Sequence, residues 1–179
     1  MKFKPHYGQG NDGCTFNPLT RSRECKHGEI FHLLGDLDEL QSWIGLLRAK
    51  MKKRKRICSL LKEVQVCIYK VNSHITTRGK IDVTLKDIEK LEKEIDRMSR
   101  KCGELEGFIL PSGSEAACIA HLTRAVCRRA ERTLVEFREK NEWVNQNVIR
   151  FMNRLSDYLF VLARYINRMN GIKEEFARD

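Results

Sequence analysis

Five segments of this chain repeat leucine, isoleucine and valine at spacings of three and four residues, and that period constrains the fold more than any other feature. Residues 36–50 carry Leu37, Leu40, Ile44 and Leu47, and residues 57–77 carry Leu60, Leu61, Val64, Ile68, Val71 and Ile75. In 84–101, Leu85, Ile88, Leu91, Ile95 and Met98 share one face. A long fourth segment opens at Pro111-Ser112-Gly113-Ser114 and runs to about residue 140; a fifth covers 147–168. Thr84 and Asp87 have the spacing of a capping box, as do Ser112 and Glu115, while Gly103 and Gly171 act as stops. No segment alternates with the period of two that a half-buried strand requires. The expectation is an all-α chain, a five-helix bundle with helices packed side by side, and without internal repeats.

Ahead of the first helix, residues 1–35 hold Gly8, Gly10, Gly13, Pro18, Gly28 and Gly35 without a sustained period, and read as an irregular glycine-rich arm. The 179 residues are expected to make one domain, 1–179, with this arm (1–35) and a helical bundle (36–170). A net charge of +10 favours an acidic partner, such as nucleic acid, an anionic membrane or a polyphosphate. Seven cysteines, an odd number without any CxxC spacing, read as reduced thiols in a reducing compartment. No apolar run approaches the ~20 residues of a membrane span, and the N-terminus has no room for a signal-peptide core. The expected location is the cytoplasm, or an organelle matrix if a targeting segment has been removed.

Polar residues on the fourth segment point to chemistry. At about 100° per residue, Arg124, Arg128, Glu131 and Arg132 fall within a ~100° sector. Ile119, Leu122, Val126, Ala130, Leu134 and Phe137 occupy the opposite, packing side. A guanidinium fork matches phosphate oxygens and stays charged near neutral pH. The competing reading is a solvated face laced by pairs such as Glu131 with Arg128. Asn153, Asp157 and Arg164 make a second polar stripe on the fifth segment, able to orient a nucleoside or only to bond within the helix. Gly10 to Thr15 could wrap amides round phosphates, or be an ordinary turn; it is not a Walker P-loop. Arg23 and Lys26 follow, with solvated loop charge as their alternative. Phe108, between two helices, is either a core plug or a ligand platform. The basic run 51–56 lacks interleaved aromatics and reads as an interhelix loop. Glu29 and His32 spell a single ExxH, short of the two copies a di-iron bundle needs, so no metal site is expected.

Taken in order, GNDGCT (10–15), RECK (23–26), GDLDELQSWIGL (35–46), FILPSGS (108–114), RAVCRRAER (124–132) and NRLSDYLFVLARYIN (153–167) resemble the ATP:cob(I)alamin adenosyltransferases of the propanediol-utilisation type. The last three are close and specific, whereas residues 51–102 match only as helices of suitable length. The arm departs from the family pattern: its usual threonine-glycine-aspartate reads Gln9-Gly10-Asn11, its paired glycines read Arg21-Ser22, and the asparagine after the DEL tripeptide is Gln41.

The resemblance implies a ferritin-like up-and-down five-helix bundle assembled as a homotrimer, with ATP and corrinoid at subunit interfaces. Gln9, Gly10, Asn11, Asp12, Gly13, Cys14, Thr15 and Lys26 would hold the triphosphate with Mg2+, across the interface from Arg128, Arg129, Glu131, Arg132 and Asn153 of a neighbour. Asp38 would pair with Arg124 across the same seam. Phe108 would stand at the lower face of cobalamin, and with Arg128 and Arg132 would carry catalysis. The implied reaction transfers the 5′-deoxyadenosyl group of ATP to cob(I)alamin and releases triphosphate. Cobalt(I) is itself the nucleophile, which suits a chain without a recognisable triad. A cobalamin reductase and an adenosylcobalamin-dependent mutase are the implied partner enzymes, with neither nucleic acid nor membrane involved. A non-catalytic bundle of the same fold, binding nucleotide or corrinoid as a sensor or chaperone, is the alternative; a nucleic-acid-binding bundle reliant on Lys52 to Arg56 is a third reading, distinguished by steep salt dependence.

Overall fold

The computed structural model describes residues 8–177. A two-stranded antiparallel hairpin, β1 (Cys14–Asn17) and β2 (Ser22–Cys25), precedes five helices: α1 (Glu29–Lys50), α2 (Lys55–Thr76), α3 (Leu85–Cys102), α4 (Glu115–Glu139) and α5 (Gln146–Met169). α4 packs against α1 and α5, α2 packs on α1, and α3 packs on α5, so the lateral order is α2–α1–α4–α5–α3. The apolar stripes read from the sequence meet in one core, except that Leu85, read as part of the α3 face, is exposed at the first residue of that helix. Leu33, Leu37, Leu40, Ile44 and Leu47 of α1 are fully buried, as are Leu134 of α4 and Leu155, Leu159 and Leu162 of α5. Each such side chain contributes about 1.5–3 kcal/mol of transfer free energy.

Three local expectations need correction. The arm is not wholly irregular, because residues 14–25 pair as a hairpin, which polar contacts support in place of an alternating apolar face. Glu24 accepts hydrogen bonds from Asn17 Nδ2 (2.7 Å), Ser22 Oγ (3.1 Å) and the Thr20 hydroxyl, and the Leu19 N–H donates to Asn17 Oδ1 at 2.9 Å. Residues 29–35, read as arm, already belong to α1. Burial of Ile30 and Leu33 outweighs the helix cost of Gly35, which lies exposed with nothing near its missing Cβ.

The cap of α4 is Ser114, not Ser112. Its hydroxyl accepts the Ala117 N–H at 3.4 Å, and Asn167 of α5 braces the approach, donating to Ser112 O (2.9 Å) and accepting from Ser114 N (3.0 Å). Gly113 is required there: its φ is +107°, and a Cβ would overlap the Asn167 amide. By contrast, the capping box of α3 forms as read, Thr84 N–H donating to Asp87 Oδ2 at 2.9 Å and Asp87 N–H to Thr84 Oγ1 at 3.3 Å. After α5 the chain turns back along the 108–110 loop. Leu110 N–H donates to Glu175 O at 2.7 Å and Ala177 N–H to Phe108 O at 2.8 Å.

Candidate functional site

On α4, Arg124, Arg128 and Arg132 follow one another at one-turn intervals, half-buried at Arg124 and exposed at the other two. The opposite side buries Ile119, Val126, Ala130, Leu134 and Phe137. Leu122 is the exception at 44% exposure: the buried arc is rotated toward Thr123 and Cys127, which leaves Leu122 at its outer edge. None of the three guanidiniums lies within 4.0 Å of a carboxylate among the described residues, so the solvated ion-pair reading of this face fails at its named pair, Arg128 with Glu131. Glu131 is instead held by Asn153 of α5, whose Nδ2 donates to Oε1 at 2.9 Å. Arg132 Nη1 donates to the Arg128 carbonyl at 3.2 Å, and Arg124 stacks over the Phe160 ring at 5.3 Å. Burial, reinforced by the neighbouring Arg128 charge, holds Arg124 below its usual pKa against the opposing pull of Asp157.

Arg128, Glu131, Arg132 and Asn153 line an open groove of about 450 Å³ between α4 and α5, together with Val135, Glu136 and Glu139. Two guanidiniums without an ion pair among the described residues lie in it beside Glu131, with further carboxylates at Glu136 and Glu139 along the same helix.

Arg129 does not share this groove. It faces α1, where Nε donates to Asp36 Oδ1 at 3.0 Å and the guanidinium also pairs with Glu39, while Thr133 Oγ1 donates to Asp36 Oδ2 at 2.6 Å. Two carboxylates of α1 already pair with it within the chain, unlike the three arginines of the stripe. Asp38, one residue away, is exposed and forms no ion pair among the described residues. The second polar stripe also divides. Asp157 takes a hydrogen bond from Arg154 (2.7 Å), whereas Arg164 is buried and bonds Glu174 at 2.5 Å together with the carbonyls of Gly103 and Glu104. Arg164 thus fastens the C-terminal tail rather than reaching toward Asn153.

The arm's glycines adopt the left-handed backbone that a nest needs, with φ of +100° at Gly10 and +76° at Gly13. Lys26 Nζ donates to the Gly10 carbonyl at 2.9 Å, and Asp12 clasps Arg23 through two 2.9 Å bonds while accepting the Cys14 N–H at 3.1 Å. That backbone bond, then Arg23, hold the Asp12 carboxyl below its ordinary pKa. Gln9, Asn11 and Asp12 are exposed, and Thr15 is half-buried. Within one chain, no hydrogen bond or ion pair joins this arm to the α4 stripe among the described residues.

Phe108 is 89% exposed, which rules out the core-plug reading. Its loop is held by the strand-like contact with the tail and by Asn167, both unread in the sequence. The only sign of Asn167 was a polar residue ending an apolar helix face. Glu29 pairs with Lys140, and no group of three ligating side chains forms among the described residues.

The family model for cobalamin adenosyltransferase matches residues 6–166. The corrinoid adenosyltransferase MMAB of Bos taurus is 36% identical over 182 residues, covering 96% of this chain and 75% of that protein. The corrinoid adenosyltransferase of Bacillus subtilis is 35% identical over 151 residues, covering 80% and 78%. Among solved structures, a variant PduO-type ATP:corrinoid adenosyltransferase from Lactobacillus reuteri, complexed with cobalamin and ATP, superposes with a TM-score of 0.90 at 27% identity, covering 98% of this chain and 97% of that one.

Proposed function

Because this chain belongs to the cobalamin adenosyltransferase family, we propose that its unpaired α4 arginines and its glycine arm form the two halves of one ATP site, shared between neighbouring subunits of a homotrimer. The activity itself is that of a corrinoid adenosyltransferase: the 5′-deoxyadenosyl group of ATP passes to cob(I)alamin, and triphosphate leaves. The observation that carries the site assignment is the contrast along a single helix, where Arg129 is neutralised by two carboxylates while Arg124, Arg128 and Arg132 have none.

The reduced substrate brings its own nucleophile, so the protein's work is positional and electrostatic. Arg128 and Arg132 take the triphosphate oxygens and stabilise the charge that grows as the C5′–O bond breaks. Glu131, fixed by Asn153, orients the nucleoside end. From the adjacent subunit, the turn at Gly10 to Gly13 offers backbone amides, and Lys26 exchanges the Gly10 carbonyl for a phosphate oxygen. The absence of any hydrogen bond or ion pair between arm and stripe among the described residues supports this division, and Asp38, exposed and unpaired among those residues, is the carboxylate available for a neighbour's Arg124. Phe108 presents an apolar ring to the corrinoid's lower face, excluding water and the axial base from cobalt. Mg2+ is assigned to the nucleotide, held mainly by phosphate oxygens. A cobalamin reductase supplying the substrate and a mutase receiving the product complete the proposed setting.

The direct test is the absorbance change of chemically reduced cobalamin on adding the protein with ATP and Mg2+. Turnover to a stable alkylcobalamin spectrum supports the reading, and tight binding without turnover contradicts it.

A further inference from the structure

Two thiols, that of Cys14 in the nucleotide arm and that of Cys25, meet in the hairpin. Lys26 N–H donates to Gly13 O at 2.9 Å, which makes residues 13 and 26 a hydrogen-bonded pair, and the next pair in register is Cys14 with Cys25. That pair is therefore non-hydrogen-bonded, the class in which opposed Cα atoms approach to about 4.5 Å and side chains lie closest. The two Sγ atoms are 3.9 Å apart, and no other pair of cysteines is within hydrogen-bonding distance among the described residues. A disulfide accepts Cα separations of about 4.4–6.8 Å, so side-chain rotation with little backbone movement suffices. Both sulfurs are reachable: Cys25 is exposed and Cys14 half-buried.

We propose that Cys14 and Cys25 form a reversible cross-strand disulfide, a modification site served by low-molecular-weight disulfides of the glutathione class, which fastens the base of the hairpin. Cys25, the more exposed, loses its proton and attacks one sulfur of the oxidised carrier; the S–S bond breaks, and the departing thiolate takes up a proton. Cys14 then attacks the Cys25 sulfur of the mixed disulfide, and the second carrier thiol leaves. Two protein thiols are oxidised and one carrier disulfide becomes two thiols, so electrons and protons balance. The hairpin has reason to need fastening. Its strands are four residues each, a two-stranded ribbon alone is marginal in water, and Leu19 of its turn packs against the core. The bond would lie beside Asp12 and Lys26, so its bearing on turnover rests on the nucleotide reading of the arm.

The full chain is equilibrated in glutathione buffers of stepped redox ratio, quenched by alkylation and mapped by tryptic peptides. The proposal expects a loss of two free thiols, a peptide pair linked through Cys14 and Cys25 that excess thiol releases, and several-fold slower amide hydrogen exchange across 14–26 in the oxidised form. In Cys14→Ser the link is replaced by a glutathione adduct on Cys25. Adducts without a link in the parent chain, a link between other cysteines, or unchanged exchange on oxidation would each overturn it. ATP binding by the reduced protein is measured separately; its failure would sink the nucleotide reading while leaving the thiol chemistry standing.

Discussion

Arg128 sits at the centre of the unpaired stripe, and its exposure separates folding from chemistry. Arg128→Ala removes no ion pair among the described residues, so its melting temperature is expected to stay near that of the parent. If the guanidinium meets charge that develops on the leaving triphosphate, turnover falls by ~100-fold or more. Steady-state kinetics beside a thermal melt check this, and near-normal kcat would remove Arg128 from the site. Phe108 allows a sharper separation still. A packed phenylalanine would cost about 3–5 kcal/mol on truncation, but a ring 89% exposed costs about 0.5 kcal/mol. Phe108→Ala is therefore expected to fold and bind ATP normally while losing most adenosylation and the spectrum of four-coordinate cob(II)alamin. Retention of that spectrum would contradict the role given to the ring.

Among the elements, α3 carries a pH-dependent contribution that the site does not use. Asp87 closes the capping box and also takes two hydrogen bonds from Lys70 of α2, at 2.8 and 3.0 Å. Burial alone would raise its pKa, but Lys70 and the Thr84 donors outweigh burial and lower it to about 2 from an ordinary 3.8. A carboxyl held lower in the folded state stabilises fully above about pH 4, and that contribution is lost as pH falls toward 2, by about 1–2 kcal/mol. Lys70→Met is expected to flatten this part of the denaturation profile; an unchanged slope between pH 4 and 2 would show that the pair contributes little.

The same box was legible in the sequence, because capping chemistry is local: Thr84 and Asp87 need only each other. So were the five apolar stripes and the arginine face, each set by one helix's period. The hairpin was not, since strands held by Asn17, Thr20 and Glu24 leave no alternating pattern. Nor was the start of α4, where Asn167, far along the chain, selects Ser114 over Ser112. Leu122 was misread because a helical wheel gives the width of a face but not the angle at which α1 and α5 approach it.

For the whole molecule, no hydrogen bond or ion pair joins arm and stripe within one chain among the described residues, and the account requires a second copy to join them. Asp38→Asn is expected to weaken trimerisation or raise the ATP requirement, because it removes the charge offered to a neighbour's Arg124; sedimentation of parent and variant compares them. A parent protein that sediments as a stable monomer with full activity would contradict the shared site. The most direct measurement is complementation between two defective chains. Lys26→Ala disables the arm and Arg128→Ala disables the stripe, and each alone is expected to be nearly inactive. Mixed by joint refolding in equal amounts, about one site in four pairs an intact arm with an intact stripe from different subunits. The account predicts recovery to about a quarter of parental adenosyl transfer; mixed assemblies that form but stay as inactive as the separate variants would contradict it.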